Sequence, residues 1–224
     1  MKTYKNIFKA TSLLAVMSLA MTSCNDWLTV HPQTQIVEEN FWEDKNDLEG
    51  VRYGVYKNMA SQVEKMIIWG DLRASDIYNL TAVRTSDQGN RDNFRNIIQA
   101  DIDTTWSYYD WSGMYTTIGY CNKVLQHGAE VLEKDKQFTA SEWRQMKAEM
   151  VTMRALSYFY LVRAFKSIPY TTKVVNSDTE VEYFPQLPVL DVMDSLINDV
   201  ESVAGQARNR FVEPKETKGM ITNT

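Results

Sequence analysis

Apolar and polar residues alternate with a helical period in four stretches of the chain. Side chains three and four positions apart lie on one face of an α-helix, so each stretch predicts an amphipathic helix. The predicted helices run from about Asp44 to Glu64, from about Thr104 to Glu133, from Ser141 to Pro169, and from Pro188 to Gly205. The pattern therefore predicts a mainly α-helical chain.

The third predicted helix changes character along its length. Its first half is amphipathic, but between residues 155 and 165 only Ser157 and Arg163 are polar. A helix that is apolar all round is buried between neighbours or in a membrane, and about eleven residues are too few for a bilayer, which takes roughly 20. We therefore expect the central helix of a bundle or solenoid, ended by Pro169 because proline cannot continue an α-helix.

The second predicted helix carries one continuous stripe at steps of four, three, four and three residues. A short charged turn joins it to the third helix, which predicts an antiparallel hairpin. The polar member of the stripe, Asn122, is expected to be a buried amide that ties a neighbouring backbone. The stripe consists of Trp111, Tyr115, Ile118, Asn122 and Leu125.

The first and fourth predicted helices each raise a packing question. Gly50 and Gly54 lower the helix propensity of the first helix by about 1 kcal/mol each, which predicts that a neighbour approaches closely there. Asp44 is suitable as its N-cap. The fourth helix places Val192, Leu196, Val200 and Val203 on one face, but only a polar tail follows it. Helix pairs of a repeat array need a neighbour, so we expect a fragment of a longer protein.

Two segments between the helices lack a helical period. The segment from Ile67 to Asp103 is rich in Gly, Asn, Asp and Ser, yet it also carries Trp69, Tyr78 and Phe94. The aromatic residues argue against disorder, and a long irregular segment inside a domain is often functional. The segment from Tyr170 to Gln186 is expected to be a surface excursion.

The N-terminus has the order of a secretory signal peptide. Three lysines precede an apolar run from Ala10 to Met21, which is followed by small residues and Cys24. The run is too short to span a membrane, so we expect residues 1–23 to be a removed signal. The sequence before Cys24 resembles a bacterial lipobox, which implies a lipidated cysteine as the mature N-terminus. Residues 24–40 contain Pro32 and no helical period, and they predict an extended tether.

Charge and motif content exclude several functional classes. The formal net charge is −5 and no basic cluster follows the N-terminus, so nucleic-acid binding has little electrostatic support. Cys24 and Cys121 are the only cysteines, which suggests neither a disulfide framework nor a metal site; Cys121 is expected to be a small buried residue. His31 and His127 are isolated, His127 is expected at the surface, and no catalytic motif or cofactor-binding loop is present.

Five sequence pieces in this order resemble one protein family. NDWLTVHPQ follows the lipidation cysteine, and FWEDKNDLEGVRYGVYKNM follows the tether. W-x3-Y-x2-I-x3-N-x2-L, AEMVTMRALSYFYLVRAFKSIPYTT and DVMDSLINDVESVA complete the series. Together they resemble the SusD/RagB family of outer-membrane lipoproteins of Bacteroidetes, over nearly all of residues 24–207. In one family motif Glu149, Arg154 and Ala155 match, whereas Val151 replaces an arginine.

The resemblance implies a fold, a location and a partner. The implied fold is a mainly α, right-handed superhelix of tetratricopeptide-like helix pairs with long irregular loops on the ligand side. Residues 41–224 would be the N-terminal part of that helical domain. Such proteins sit on the cell surface, anchored in the outer membrane by their N-terminal lipid. They capture glycans or other nutrients, such as peptides, for a SusC-like TonB-dependent transporter, without catalysis or cofactor.

Candidate ligand-binding residues follow from the chemistry of sugar recognition. Aromatic rings cover the apolar faces of sugars, while amides, carboxylates and arginines bind hydroxyl groups. The segment after Ile67 has this composition, and a second aromatic cluster lies between Trp106 and Trp111. The candidates are Trp69, Asp71, Arg73, Asp76, Tyr78, Asn79, Arg84 and Tyr108, with a structural role for Trp69 and Asp76 as the competing interpretation.

Two other functional classes stay open from the sequence. A carboxylate pair such as Asp71 with Asp76, or Asp101 with Asp103, is compatible with glycoside hydrolysis, although any acidic chain supplies such pairs. A tetratricopeptide-type scaffold that binds only proteins is the stronger alternative, because the same helix pairs serve that purpose. Binding of a sugar by the intact protein would separate the scaffold from a nutrient-binding protein.

Overall fold

Helices account for most of the residues that the structure, a computed structural model, describes: 41–72, 96, 107–175, 184–209 and 219–223. The chain divides into two units, residues 1–41 and 42–224, and all described residues after Phe41 belong to the second. The predicted signal peptide, the tether and Cys24 lie outside the described residues. Within these ranges, no helix is both long enough and apolar enough to cross a bilayer.

The helices follow the predicted order with shifted ends. Helix α1 spans Lys45–Ser61 and α2 spans Val63–Ile67, which continues into a π-helical turn at Ile68–Leu72. After a 3-10 turn at Ser107–Tyr109 come α3 (Ser112–Lys134), α4 (Ala140–Phe165) and α5 (Val189–Ser202).

Short strands connect the helices. Strand β1 (Ile168–Pro169) is antiparallel to β2 (Gln186–Leu187), with Ile168 opposite Leu187. Strand β3 (Arg208–Asn209) is parallel to β4 (Thr222–Asn223), with Arg208 opposite Thr222. Each pair is therefore a contact between two segments that are separated along the chain.

Two capping boxes begin the principal helices. The backbone N–H groups of Asn46 and Asp47 donate to the Asp44 carboxylate at 2.7 and 3.3 Å, and Asp47 in return accepts from the Asp44 N–H. Thr139 and Glu142 make the equivalent reciprocal bonds at α4. Such bonds satisfy N–H groups that lack an intrahelical partner, so Asp44 is confirmed as the N-cap of α1.

Helix α4 is the centre of the stack, as predicted. It packs against α3 and α5 and also contacts α1, while α1 packs on α3. Helices α3 and α4 form the predicted antiparallel hairpin, turning through residues 135–139. The buried side chains of α4 include Met146, Met150, Tyr158 and Leu161. Cys121 of α3 is fully buried, and burial raises the pKa of its thiol to about 12, so it is an inert core residue.

Three helix ends or faces differ from the prediction. Helix α3 begins at Ser112 instead of Thr104, because residues 107–109 form a 3-10 turn. Helix α4 ends at Phe165, where Lys166 takes a positive φ of 66°; Pro169 lies three residues beyond this break and belongs to β1. In α5, Val200 is 38% exposed although it was predicted to share the buried face, whereas Val203 is 4% exposed.

The prediction about Gly50 and Gly54 is wrong. A Cβ atom at either position would meet nothing within 4 Å. The close contacts occur at other glycines: a Cβ on Gly128 would collide with the indole of Trp143, and one on Gly113 would lie 2.5 Å from the Gln62 side chain. Where a glycine is needed depends on the neighbouring helix, which the local sequence does not specify.

A buried ion cluster joins α1, α4 and β3. Glu149 is fully buried, and its carboxylate lies 3.0 Å from the guanidinium of Arg52 and 3.4 Å from that of Arg208. The Tyr56 hydroxyl donates to the same carboxylate at 3.2 Å and accepts from the Ile221 N–H at 3.0 Å. The Arg208–Glu149 ion pair and the hydrogen bond from the Ile221 N–H to Tyr56 therefore fasten the segment around β3 and β4 to α4 and α1.

Candidate functional site

The first residues of the predicted irregular segment lie beside the 3-10 turn at Ser107–Tyr109. The segment begins later than predicted, because residues 68–72 form the π-helical turn. The indole N–H of Trp69 in this turn donates to the Tyr108 carbonyl at 2.8 Å. Lys65 donates to the Asp110 carbonyl at 2.8 Å and lies 3.7 Å from the Asp110 carboxylate. These contacts join the end of α2 and its π-helical turn to the residues that precede α3.

Three of the predicted ligand-binding residues are described, and they have different environments. Trp69 is 6% exposed and its ring meets Phe165 edge-on at 5.3 Å, so it packs the turn against the end of α4. The packing interpretation that competed for Trp69 therefore agrees with its burial. Asp71 is exposed. Tyr108 is half-buried and its hydroxyl donates to Glu64 at 3.1 Å.

The other predicted ligand-binding residues lie outside the described residues. They are Arg73, Asp76, Tyr78, Asn79 and Arg84. Trp106 of the second aromatic cluster lies outside them as well. The covalent chain nevertheless requires all of these residues to connect the turn at Ile68–Leu72 to the turn at Ser107–Tyr109.

A continuous row of aromatic rings leads from this point along α3 and α4. Phe165 contacts both Trp69 and Trp111, with ring centroids 5.3 and 5.1 Å apart. Trp111 meets Tyr115 at 5.7 Å, Tyr115 meets Tyr158 at 6.2 Å, and the row ends at Tyr170, 4.7 Å from Tyr158. Most of these contacts are edge-on, which is a favourable geometry for aromatic pairs.

A cavity of about 460 Å³ opens beside this row, between α3 and the chain that follows β1. This volume falls within the usual range for small-ligand sites, about 300–1,000 Å³. Its lining is mostly apolar and includes Trp111, Tyr115, Asn122, Thr171, Lys173 and Phe184. The helical spacing predicts Trp111 and Tyr115 only as members of a stripe on α3. The β-branched pair Val174-Val175 also lines the cavity, and it is the sequence signal that an apolar surface faces them.

Asn122 holds the wall of this cavity. Its amide N–H groups donate to the carbonyls of Thr171 and Lys173 at 3.4 and 3.2 Å, and its carbonyl accepts from Arg154 at 2.9 Å. Arg154 in turn binds Asp199 of α5 at 2.7 Å. The predicted role of Asn122 as a buried amide that ties neighbouring backbone is confirmed.

The phenols near the cavity act as neutral hydrogen-bond donors. Burial raises the pKa of Tyr158 to about 12 and raises that of Tyr115 beyond its ordinary range. Tyr115 donates to the Pro169 carbonyl at 2.7 Å, and Tyr158 donates to the Thr171 carbonyl at 2.8 Å. Within the described ranges, no group of three or more His, Cys, Asp or Glu residues could hold a metal ion. The packed rings and the hydrogen-bonded polar groups therefore keep the cavity in a fixed shape.

His127 has a packed position rather than the predicted surface one. Its ring stacks on Trp42 with centroids 4.6 Å apart and planes 9° apart, and its side chain is 17% exposed. Trp42 precedes α1, so this contact ties the start of the helical unit to α3. The predicted surface position of His127 was wrong because the ring that covers it belongs to Trp42, which is distant in the sequence.

Comparison with known proteins places the chain in a family. The profile of a SusD-like family, described as starch-binding and associating with the outer membrane, matches residues 26–204. The chain belongs to this SusD-like family. Two SusD-like proteins of Formosa agariphila are each 25% identical to it, over 202 and 207 residues. Each alignment covers 90% of this chain and 37% of the relative, so the chain spans little more than a third of these relatives' length.

Solved SusD-like structures share the fold. A laminarin-binding SusD-like protein is 22% identical, with a TM-score of 0.65 over 81% of this chain and 38% of its own. A SusD superfamily protein from Bacteroides thetaiotaomicron is 18% identical, with a TM-score of 0.60 over 72% of this chain and 35% of its own. NanU of Bacteroides fragilis is 16% identical, with a TM-score of 0.60 over 79% and 34%. The predicted mainly α fold of tetratricopeptide-like helix pairs is confirmed.

Proposed function

We propose that this SusD-like chain takes part in the capture of a glycan, or of another nutrient such as a peptide, at the bacterial cell surface. The match of residues 26–204 to a starch-binding, outer-membrane-associated family carries the proposal. The captured ligand would pass to a SusC-like TonB-dependent transporter. The protein would act by binding alone, without a catalytic residue or a cofactor.

Two features support a binding role: the row of aromatic rings, and the hydrogen bond that joins the turn at Ile68–Leu72 to the turn at Ser107–Tyr109. Sugar rings bind to flat aromatic faces, and the aromatic row begins at Trp69, in the turn that directly precedes Arg73, so this turn is a rigid base for the residues that follow it in the chain. Asp71 and Tyr108 provide polar groups at this base. The chain directly after Asp71 carries the other predicted ligand-binding residues, Arg73, Asp76, Tyr78, Asn79 and Arg84. We assign ligand contact to these residues, and packing to Trp69.

Sugar titration of the full chain tests this assignment. Calorimetry with β-glucan and α-glucan oligosaccharides is expected to show saturable binding to at least one of them. Asp71→Ala and Arg73→Ala should weaken it by about tenfold each, since each removes hydrogen bonds to ligand hydroxyl groups. Tyr53→Ala, an exposed change on α1, should leave it unchanged. Equal binding by all variants would remove the assigned residues from the site, and absence of binding to any glycan or peptide would contradict the proposal.

We propose further that Cys24 anchors the protein in the outer membrane, facing the exterior. Residues 1–23 would be removed as a signal, and residues 24–40 would connect the lipid to the helical domain that begins near residue 41. Two acyl chains are sufficient for stable attachment to a membrane, and a lipidated N-terminal cysteine carries several. Replacing Cys24 by Ser should release the protein from the membrane fraction, as measured by fractionation and labelling with a radioactive fatty acid. Unchanged membrane association of Cys24→Ser would contradict a lipid anchor.

A scaffold that binds only proteins is the second candidate function. An apolar groove between α4 and α5, lined by Leu156, Phe159 and Ile197 among other residues, favours it, because amphipathic helices of partner proteins bind in such grooves. A protein that copurifies with a transporter barrel while binding no glycan or peptide would favour the scaffold over nutrient capture.

A further inference from the structure

A series of buried polar contacts crosses the helices from α5 to the chain that follows β1. Asp199 of α5 accepts from Arg154 of α4 at 2.7 Å, and Arg154 donates to the amide carbonyl of Asn122 of α3 at 2.9 Å. The amide N–H groups of Asn122 donate to the carbonyls of Thr171 and Lys173. The series therefore joins three helices and the segment after β1, which are distant from one another in the sequence.

The chemistry of Arg154 fixes the orientation of Asn122. A guanidinium carries N–H donors and no acceptor, so Arg154 can bind only the carbonyl end of the Asn122 amide. The N–H groups of that amide then face the carbonyls of Thr171 and Lys173, which accept hydrogen bonds and cannot donate them. A reversed amide would place donor against donor and acceptor against acceptor. Asn122 is 2% exposed, so water does not relieve such a mismatch.

Arg154 in turn depends on Asp199 for a counter-charge. Arg154 is 7% exposed, and its Nε atom has no hydrogen-bond partner among the residues that the structure describes. The Asp199 side chain is 29% exposed, so it stands between the buried guanidinium and solvent. A buried charge that loses its partner is costly, and loss of Asp199 would therefore draw Arg154 towards solvent and away from Asn122.

We propose that Arg154 couples the position of α5 to the position of residues 171–173, which form part of the cavity wall. While Asp199 is in place, Arg154 orients Asn122, and Asn122 holds the backbone of these residues. A displacement of α5 withdraws Asp199 and releases that backbone. The coupling acts in both directions, because a linkage between two equilibria is reciprocal. It does not depend on the proposed glycan binding.

Hydrogen exchange at the Thr171 amide, followed by NMR on the full chain, measures the coupling. This N–H donates to the Tyr158 hydroxyl at 3.0 Å, so it exchanges when the chain after β1 detaches from α4. Asp199→Asn is expected to speed this exchange by about fivefold relative to the amide of Val55, which lies in the core of α1 and reports global unfolding. Asp194→Asn, at an exposed acidic position of α5, should leave it unchanged. Exchange at Thr171 that rises no more than exchange at Val55 would overturn the proposal.

Two further variants test whether Arg154 carries the coupling. Arg154→Lys keeps the positive charge but lacks the planar fork that reaches Asp199 and Asn122 together, so it should speed exchange at Thr171 by a similar factor. Tyr170→Phe removes a hydroxyl that lies 3.4 Å from Asp199, a long hydrogen bond, and should change the rate by less than about twofold. Exchange as slow as in the wild type for Arg154→Lys would exclude Arg154. A full rise for Tyr170→Phe would mean that α5 holds this chain directly, and either result would overturn the proposal.

The double variant Asn122→Ala with Asp199→Asn tests whether the two residues act in one series. Each change interrupts the same series, so the double variant should exchange at Thr171 no faster than Asn122→Ala alone. Effects that multiply would mean that Asp199 and Asn122 act independently, and they would overturn the proposal. Circular dichroism checks that each variant is folded. If Asp199→Asn does not fold, Arg154→Lys, which keeps the buried charge, takes its place in the same comparison.

Discussion

At the scale of single residues, the buried charge of Glu149 matters most to stability. Burial alone would lower the pKa of the Arg52 guanidinium, but the adjacent Glu149 carboxylate raises it above its ordinary value. Burial and the same carboxylate raise the pKa of Tyr56, so its phenol stays a neutral donor. The Glu149 carboxylate therefore stabilises the buried guanidinium of Arg52, which would lose its nearest partner without it.

Removing that charge should destabilise the protein strongly. Glu149→Gln leaves buried Arg52 with only the more distant carboxylate of Glu49, 3.9 Å away, as a counter-charge, and loss of one partner of a buried pair costs about 3–5 kcal/mol. Urea denaturation followed by circular dichroism measures the change in the free energy of unfolding. Glu133→Gln, at an exposed position of α3, should change it by less than about 0.5 kcal/mol.

The double variant Arg52→Met with Glu149→Leu distinguishes a lost charge from a lost shape. Replacing both partners by apolar residues of similar volume removes the unpaired charge and should recover most of the stability lost in Glu149→Gln. A double variant as unstable as the single one would show that the cluster acts through its shape and hydrogen bonds.

At the scale of helices, the contacts of a glycine decide the effect of substituting it. Gly50 of α1 has open space where a Cβ would be, so Gly50→Ala should stabilise the protein by about 0.5–1 kcal/mol through helix propensity. Gly128 of α3 faces the indole of Trp143, so Gly128→Ala should destabilise it by about 1–3 kcal/mol through overpacking. Thermal denaturation of both variants compares them directly. The same sign for both changes would contradict this assignment of contacts.

The capping box of α4 should make stability depend on acid. Hydrogen bonds from Lys45 and from the backbone and hydroxyl of Thr139 lower the pKa of Glu142 to about 2. Between that value and its ordinary pKa of about 4.3, the unfolded chain binds more protons than the folded one. The stabilisation by Glu142 is therefore complete above about pH 4.3 and is lost as the pH falls towards 2.

Glu142→Gln should accordingly flatten the pH profile. At pH 7 the variant should be less stable than the wild type by about 0.5–1 kcal/mol, since Glu142 is a partly exposed capping residue. The difference should disappear near pH 2, where Glu142 of the wild type is protonated too. Urea melts at intervals between pH 7 and pH 2 measure it, and a constant difference over that range would contradict the ionic origin of the effect.

At the scale of the whole molecule, the apolar side chains that α5 exposes should limit the solubility of the chain. Leu190 and Ile197 expose apolar surface that adjoins the groove with α4, and contiguous apolar patches promote association. Leu190→Lys with Ile197→Lys should raise the concentration or temperature at which light scattering detects aggregates. The midpoint of thermal unfolding should change little, because neither side chain is buried. A large fall in that midpoint would mean that these residues stabilise the fold itself.

The sequence determined the helices, their order and the family, because these depend on local patterns. Apolar residues at helical spacing specified α1, α3, α4 and α5, and Asp44 specified the start of α1, since an N-cap acts within its own first turn. The pairing of α3 with α4 followed from the short turn between them. The sequence predicted that the amide of Asn122 is buried and hydrogen-bonded, because a polar residue in an apolar stripe needs a partner. It did not predict that the partners are the carbonyls of Thr171 and Lys173.

Only the tertiary structure decided what lies opposite each residue. It placed Trp69 in the core and His127 against Trp42. It also showed that the glycine in close contact with a neighbouring helix is Gly128 and not Gly50. Val200, which was predicted to lie in the core, is exposed in the groove between α4 and α5. Each of these four placements depends on a contact with an element that is distant in the chain. The helical period of a sequence does not specify which distant elements come into contact. The cavity beside α3 and the apolar groove between α4 and α5 arise in the same way, because a concave surface is formed by two elements together.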